Sequence, residues 1–252
     1  NTLLNQVTMY RLMLYYLIFL VVVAAGLSFA EILPYSTIDI LGSATYLVIV
    51  CWLSNKLFAR IFKAKTNPES ALISGLILSL IFGPVYPLSN PILLTSVGIF
   101  AMASKYLIVL RGRHVFNPAA FGAVASAVTL GQGASWWIGS LPMLLPTLLG
   151  GLLILKKLRR YELVGVFLLA YLLFSFNNIL NSLLYSPILF FILVMLVEPL
   201  TTPPTKKYQI LYGLIVVVFI LAITRYLPNV YYNLELSLLA GNAFSFLVNF
   251  SL

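Results

Sequence analysis

The sequence predicts an all-α polytopic membrane protein, with about ten transmembrane helices in two inverted five-helix repeats and with short or broken helices among them. Three observations carry this expectation. Hydrophobic residues make up 62% of the 252 positions and charged residues only 8%, against roughly 25% charged residues in an average soluble domain. Apolar runs close to the roughly 20 residues needed to span a bilayer recur along the whole chain. The basic residues fall in short stretches between those runs, which is where cations favour the cytoplasmic side.

Taken in order, the predicted spans are 12–30, 40–62, 70–86, 91–110, 116–130, 139–155, 163–183, 187–197, 208–223 and 234–250. With the ends assigned alternately to the two sides, Arg11, Lys56, Arg60, Lys63, Lys65, Lys105, Arg111, Arg113, Lys156, Lys157, Arg159, Arg160, Lys206 and Lys207 share one side, and Arg225 lies opposite. A missed span would invert every later loop and scatter that set, so both termini are expected in the cytoplasm of a cell whose inner membrane the chain crosses. The whole of 1–252 reads as one membrane domain, with 1–131 as the first repeat and 139–252 as the second. A faint repeat supports the division: Asn117-Pro-Ala-Ala-Phe-Gly lies 116 residues before Asn233-Leu-Glu-Leu-Ser-Leu, and Phe82-Gly83-Pro84 lies 115 before Val197-Glu198-Pro199. The chain begins at Asn1 and stops inside the apolar run from Phe244 to Leu252, and a soluble reductase domain is expected after 252.

The net charge of +9 would raise the question of nucleic acid in a soluble protein. Here the cations act as topology determinants, and nucleic-acid binding is excluded as the function class. One cysteine, Cys51, and one histidine, His114, exclude disulfides, a cysteine-held cluster and a bis-histidine haem within the chain. No metal site is expected, and any electron carrier here is organic.

The densest polar stretch runs from Lys105 through Arg111-Gly112-Arg113-His114 to Phe116-Asn117-Pro118-Ala119. Gly112 permits a tight turn, Asn117 suits a helix N-cap and Pro118 suits the first helical turn. A helix start beside Arg111 and Arg113 offers free N–H groups and guanidinium forks to a phosphate, unless those arginines serve topology alone. Lys105 either snorkels to the surface or points into a pocket to meet an anion. A second polar stretch is Glu198-Pro199-Leu200-Thr201-Thr202-Pro203-Pro204. An unpaired Glu198 at membrane depth costs a few kcal/mol, so it is either partnered, by Lys206 or by the first repeat, or directly functional. Thr66-Asn67-Pro68-Glu69-Ser70 supplies the cap and first turn of the third span. Trp136 and Trp137 sit in the outer loop either as interfacial belt residues or as stacking partners for a flat ring. Asn177, Asn178 and Asn181 read as helix-packing amides.

These stretches resemble a family, the membrane subunits D of Rnf complexes and B of sodium-pumping NADH:quinone reductase. The resemblance runs from about Thr66 to the end. It rests on Lys105 with Gly112, Arg113 and Phe116-Asn117-Pro118-Ala119, on Glu198-Pro199-Leu200-Thr201-Thr202 with Lys207, Tyr212 and Gly213, and on Ala240-Gly241-Asn242-Ala243-Phe244. It implies a ten-helix inverted-repeat fold distantly like urea channels, a flavin cofactor (FMN or riboflavin), a cytoplasmic flavin or NAD(P)H reductase as electron donor and a quinone as one acceptor, with electron transfer coupled to ion movement. Family members esterify FMN to a threonine in an outer-loop motif. That motif is absent between Gly131 and Gly139, where Ser135 is the hydroxyl, with Ser140 just beyond. Non-covalent flavin is therefore expected, with Lys105, Arg111, Arg113, Asn117, Trp136, Trp137, Thr201 and Thr202 as its candidate contacts. The competing expectation is a urea-channel-like permease or flavin transporter without redox chemistry.

Overall fold

The computed structural model describes residues 6–85, 89–110, 112–174 and 187–251, the side chains of 250 and 251 excepted. Ten helices appear among them: α1 (Met9–Phe29), α2 (Thr37–Ile61), α3 (Pro68–Ile81), α4 (Pro91–Leu107), α5 (Pro118–Leu130), α6 (Leu141–Leu158), α7 (Tyr161–Phe174), α8 (Ile188–Phe190), α9 (Lys206–Tyr226) and α10 (Asn233–Ser251). Four of them, α1, α2, α6 and α9, are long and apolar enough to cross a membrane, and α3, α4, α5 and α7 are shorter apolar helices. The fold is that of a helical membrane protein. Arg111, Asn177, Asn178, Asn181 and the last part of the seventh predicted span lie outside the described residues.

Local chemistry explains the helix starts. Thr8, Ser36, Asn67, Asn90 and Asn117 each accept a backbone N–H of the following first turn through the side-chain oxygen. Pro68, Pro91 and Pro118 then stand in the first turn, where a missing N–H costs nothing. Large apolar side chains cover the outward faces as well: Tyr15, Ile18, Phe19 and Val22 on α1 and Leu145, Leu149, Leu152 and Leu153 on α6 are exposed. Helices apolar all round belong in lipid. Inside, hydroxyls return to their own helix, as Ser79 donates to Leu76 O at 2.8 Å and Ser126 to Ala123 O at 3.0 Å, so they leave no unmet polar group.

Three predicted spans differ from the observed elements. The third does not run to 86, because α3 ends at Ile81 and Phe82 is extended. The fourth stops at Leu107, and two short strands follow, β1 (Val109–Leu110) and β2 (Arg113–His114), paired antiparallel with Val109 opposite His114. Gly112 makes that reversal at φ 74°, a value a side chain would strain. The eighth is one three-residue α-helical piece, α8, running into a π-helical turn at Phe191–Met195, in which Leu196 N donates to Phe191 O. Its residues from Phe190 to Val197 are almost wholly enclosed. An apolar run of that length is buried by the protein's own helices rather than by lipid.

Helix contacts are made both within the two halves of the chain and between them. In the first, α2 packs on α4 and α4 on α5; in the second, α7 packs on α9 and α9 on α10. The α1–α6 and α5–α10 pairs join the halves. The α4–α5 approach depends on Gly122, where a Cβ would lie 2.7 Å from Val97 O and 2.9 Å from Ala101 Cβ. Gly165 on α7 has open space. Gly122→Ala should therefore destabilise the protein by about 1–3 kcal/mol in detergent unfolding, and Gly165→Ala should leave it unchanged; equal behaviour of the two variants would refute this account of the α4–α5 contact.

Candidate functional site

Asn117 stands where α5 begins, and every part of it is used. Its Oδ1 accepts Ala120 N–H at 3.0 Å, its backbone N–H donates to Asn242 Oδ1 at 2.8 Å, and its Nδ2 donates to Glu198 Oε2 at 2.8 Å. Thr201 Oγ1 donates to the same carboxylate oxygen at 3.0 Å, and Thr202 Oγ1 donates to Glu198 O at 2.8 Å. Asn242 Nδ2 in turn donates to Tyr212 OH at 2.9 Å and approaches Thr201 O at 3.4 Å. Asn117, Thr201, Thr202 and Asn242 are at most 3% exposed. His114 Nε2 lies 3.5 Å from Glu198 Oε1 without a hydrogen bond.

Glu198 thus finds a partner in the first half of the chain, Asn117, beside the neighbouring Thr201. Lys206, the alternative, pairs with Glu162 instead. The turn after Glu198 owes its shape to Arg160, whose Nη1 donates to Pro203 O at 2.9 Å, and to Gln209, whose Nε2 reaches Pro203 O at 3.2 Å and Pro204 O at 3.3 Å. The helix start offered to a phosphate faces the protein's own Glu198 carboxylate, which takes the place of an external anion at the α5 dipole.

The other expected residues separate. Arg113 and Thr201 line one cavity of about 290 Å³ together with Asn242, Ser245, Phe246 and Asn249. Lys105 lines a different cavity of about 570 Å³, and its Nζ donates to Ser70 O and Ser70 Oγ, both at 3.0 Å. His114 and Leu200 border both cavities. Trp136 and Trp137 belong to neither. Trp136 N donates to Ile81 O at 2.7 Å and Trp137 Nε1 to Ser79 O at 2.9 Å, which satisfies carbonyls freed by the early end of α3. Trp136 Nε1 donates to Glu235 Oε1 at 3.0 Å, and its ring meets Phe190 and Phe191 edge-on. Both indoles are packed inside the protein.

Asn242, Tyr212 and Arg160 were not among the expected site residues. Asn242 carried a usable signal, because a lone amide inside the last apolar span must find a partner or a role. Arg160 gave none, since in sequence it is one cation of a run of four between Lys156 and Arg160. Among the described residues no group of three or more His, Cys, Asp or Glu is gathered as for a metal ion.

No protein-family model matches the chain, and no curated protein matches it.

The shared cluster makes a quantitative demand. Asn117→Ala, which removes a cap and strands the Glu198 carboxylate, should cost about 2 kcal/mol. Combined with Asn242→Ala in a double-mutant cycle read by unfolding, it should show a coupling of about 1 kcal/mol. Additive losses would mean that the two amides do not act as one unit.

Proposed function

We propose that this chain is the flavin-binding membrane electron-transfer domain of an Rnf/Nqr-like redox system, with about ten membrane segments, some of them short or broken, in two inverted five-helix repeats and with both termini on the cytoplasmic side. The observation that carries the reading is the meeting of the three motifs behind the family resemblance. Asn117, Glu198 with Thr201, and Asn242 with Tyr212 are far apart in sequence, yet they bond to one another in a single buried cluster. Lipid tolerates such a polar cluster only where it is internally satisfied or borders a working cavity, and this one borders the 290 Å³ cavity through Thr201 and Asn242.

The repeat reading has structural support of its own. A helix end meets a helix start twice: the segment ending at Glu198 meets α5 at Asn117, and α3, ending at Ile81, meets α10 through Trp136 and Glu235. These are the stretches that the faint sequence repeat pairs at offsets of 115 and 116 residues.

The residues around the 290 Å³ cavity fit a flavin. Asn242, Asn249, Ser245 and Thr201 offer amides and hydroxyls to a ring edge, Phe246 offers an apolar face, and Arg113 offers a cation to a phosphate. A flavin supplies one- and two-electron chemistry. The protein's part is to hold the ring, with Glu198 and Asn117 keeping the Thr201 and Asn242 walls in place. FMN or riboflavin is held without a covalent bond, a cytoplasmic flavin or NAD(P)H reductase supplies electrons, and a quinone is a suitable acceptor.

Purified protein should be yellow, and acid precipitation should leave the colour in the supernatant. Arg113→Gln should lower flavin occupancy while the protein still folds. A colourless protein that carries a solute down its gradient would replace this reading by the permease. For topology, single cysteines at Ser36, Gln132 and Asn229 should label from outside and those at Lys65, Arg159 and Thr205 only from inside, and mixed labelling within either set would overturn ten spans.

A further inference from the structure

The 570 Å³ cavity is not used by the flavin reading, and its charge is one-sided. Lys65 and Lys105 line it, Asn55, Asn67, Tyr10 and Tyr106 add neutral donors, and no Asp or Glu is among its lining residues. Lys105 Nζ meets two oxygens of Ser70, both uncharged, and no carboxylate lies within ion-pair distance of it among the described residues. An ammonium that lines such a cavity, with Glu198 acting on it from beyond ion-pair distance, can take a further anion.

A second cavity of about 190 Å³ adjoins this one, sharing Tyr10, Ser70 and Leu200 with it. Its wall is mostly apolar, with Met9 and Met13 from α1, Ile73 and Ile77 from α3, and Val194 from the π-helical turn. Glu198 borders it too, with Oε2 held by Asn117 and Thr201 and Oε1 3.5 Å from His114, which lines the larger cavity. A ligand that spans both cavities is therefore anionic at the lysine end and apolar at the other.

We propose that the two adjoining cavities form a binding site for an anionic membrane phospholipid, its phosphate between Lys65 and Lys105 and one acyl chain along Met13, Ile73 and Ile77. Helices with exposed apolar outer faces put the protein in a bilayer, which supplies such molecules at high local concentration. A basic pocket between membrane helices takes acidic head groups through charge and hydrogen bonding. The site does not depend on the flavin reading, because its lysines and apolar wall are separate from Arg113 and the 290 Å³ cavity.

Native mass spectrometry of delipidated protein titrated with phosphatidylglycerol or phosphatidylcholine of matched chains tests the assignment. Wild-type protein should prefer phosphatidylglycerol by about fivefold or more, and Lys105→Met and Lys65→Met should each reduce that preference several-fold. Lys105→Arg should retain it, which separates charge from folding. Ile77→Trp, which fills the apolar cavity, should weaken both lipids while leaving the preference. Equal binding of the two lipids by wild-type protein would overturn the proposal. Millimolar inorganic phosphate provides a control that needs no variant: failure to displace the lipid supports the two-part site, and displacement as effective as by added phosphatidylglycerol would assign the lysines to a free anion and remove the lipid. Flavin colour plays no part in any of these outcomes.

Discussion

The Glu198 carboxylate at the start of α5 is the contact on which the cation-side half of the molecule depends. The chain enters it from a segment, Ile188 to Val197, that is almost wholly enclosed and too short to cross a bilayer. When a helix stops inside a membrane protein, its last carbonyls and the next helix's first N–H groups have no water to turn to. Here the two problems are met together. The α5 start presents positive dipole and the Asn117 amide, and Glu198 supplies the negative charge. Thr201 and Thr202 bond back to Glu198, so the turn that follows is tied to the same point. Loss of the carboxylate would leave Asn117 Nδ2 and Thr201 Oγ1 without acceptors in a buried place.

The opposite crossing solves the same problem with different chemistry. After α3 ends at Ile81, the carbonyls of Ile81 and Ser79 take N–H groups from Trp136 and Trp137 rather than from a preceding asparagine. The carboxylate is on the helix start, at Glu235, and the indole of Trp136 is its donor. The polar residues that close the two crossings differ. The first crossing is closed by amides and hydroxyls and the second by indoles and a carboxylate, and the cavity of about 290 Å³ lies at the first, lined by Thr201 and Asn242.

Charge is divided in the same economical way. Arg11 pairs with Glu69, and Lys206 with Glu162, both near exposed helix ends where such pairs contribute little. Lys105 and Arg113 each border a cavity without a carboxylate partner among the described residues. Of the two, Lys105 is half-buried with its Nζ held by Ser70, and Arg113 is exposed.

How much of this was readable in advance follows from the range of each interaction. Helix existence was readable because apolar content is a local property, and the caps at Asn67 and Asn117 were readable because a cap bonds two or three residues onward. The hairpin at 109–114 was missed because its first strand, Val109–Leu110, continues the apolar run and its second, Arg113–His114, is only two residues long, and only Gly112 marked the reversal. The destination of Lys105, the division of Arg113 from Lys105 between two cavities and the inward packing of Trp136 were not readable, since each depends on residues tens of positions away. By itself the sequence determined that the chain must be helical and apolar on its surfaces, since apolar content and capping act over a few residues. Only the tertiary structure decided that Asn117, Glu198, Thr201 and Asn242 share one cluster, because buried hydrogen-bonding groups take whichever partner the packing of distant helices brings within 3 Å or so.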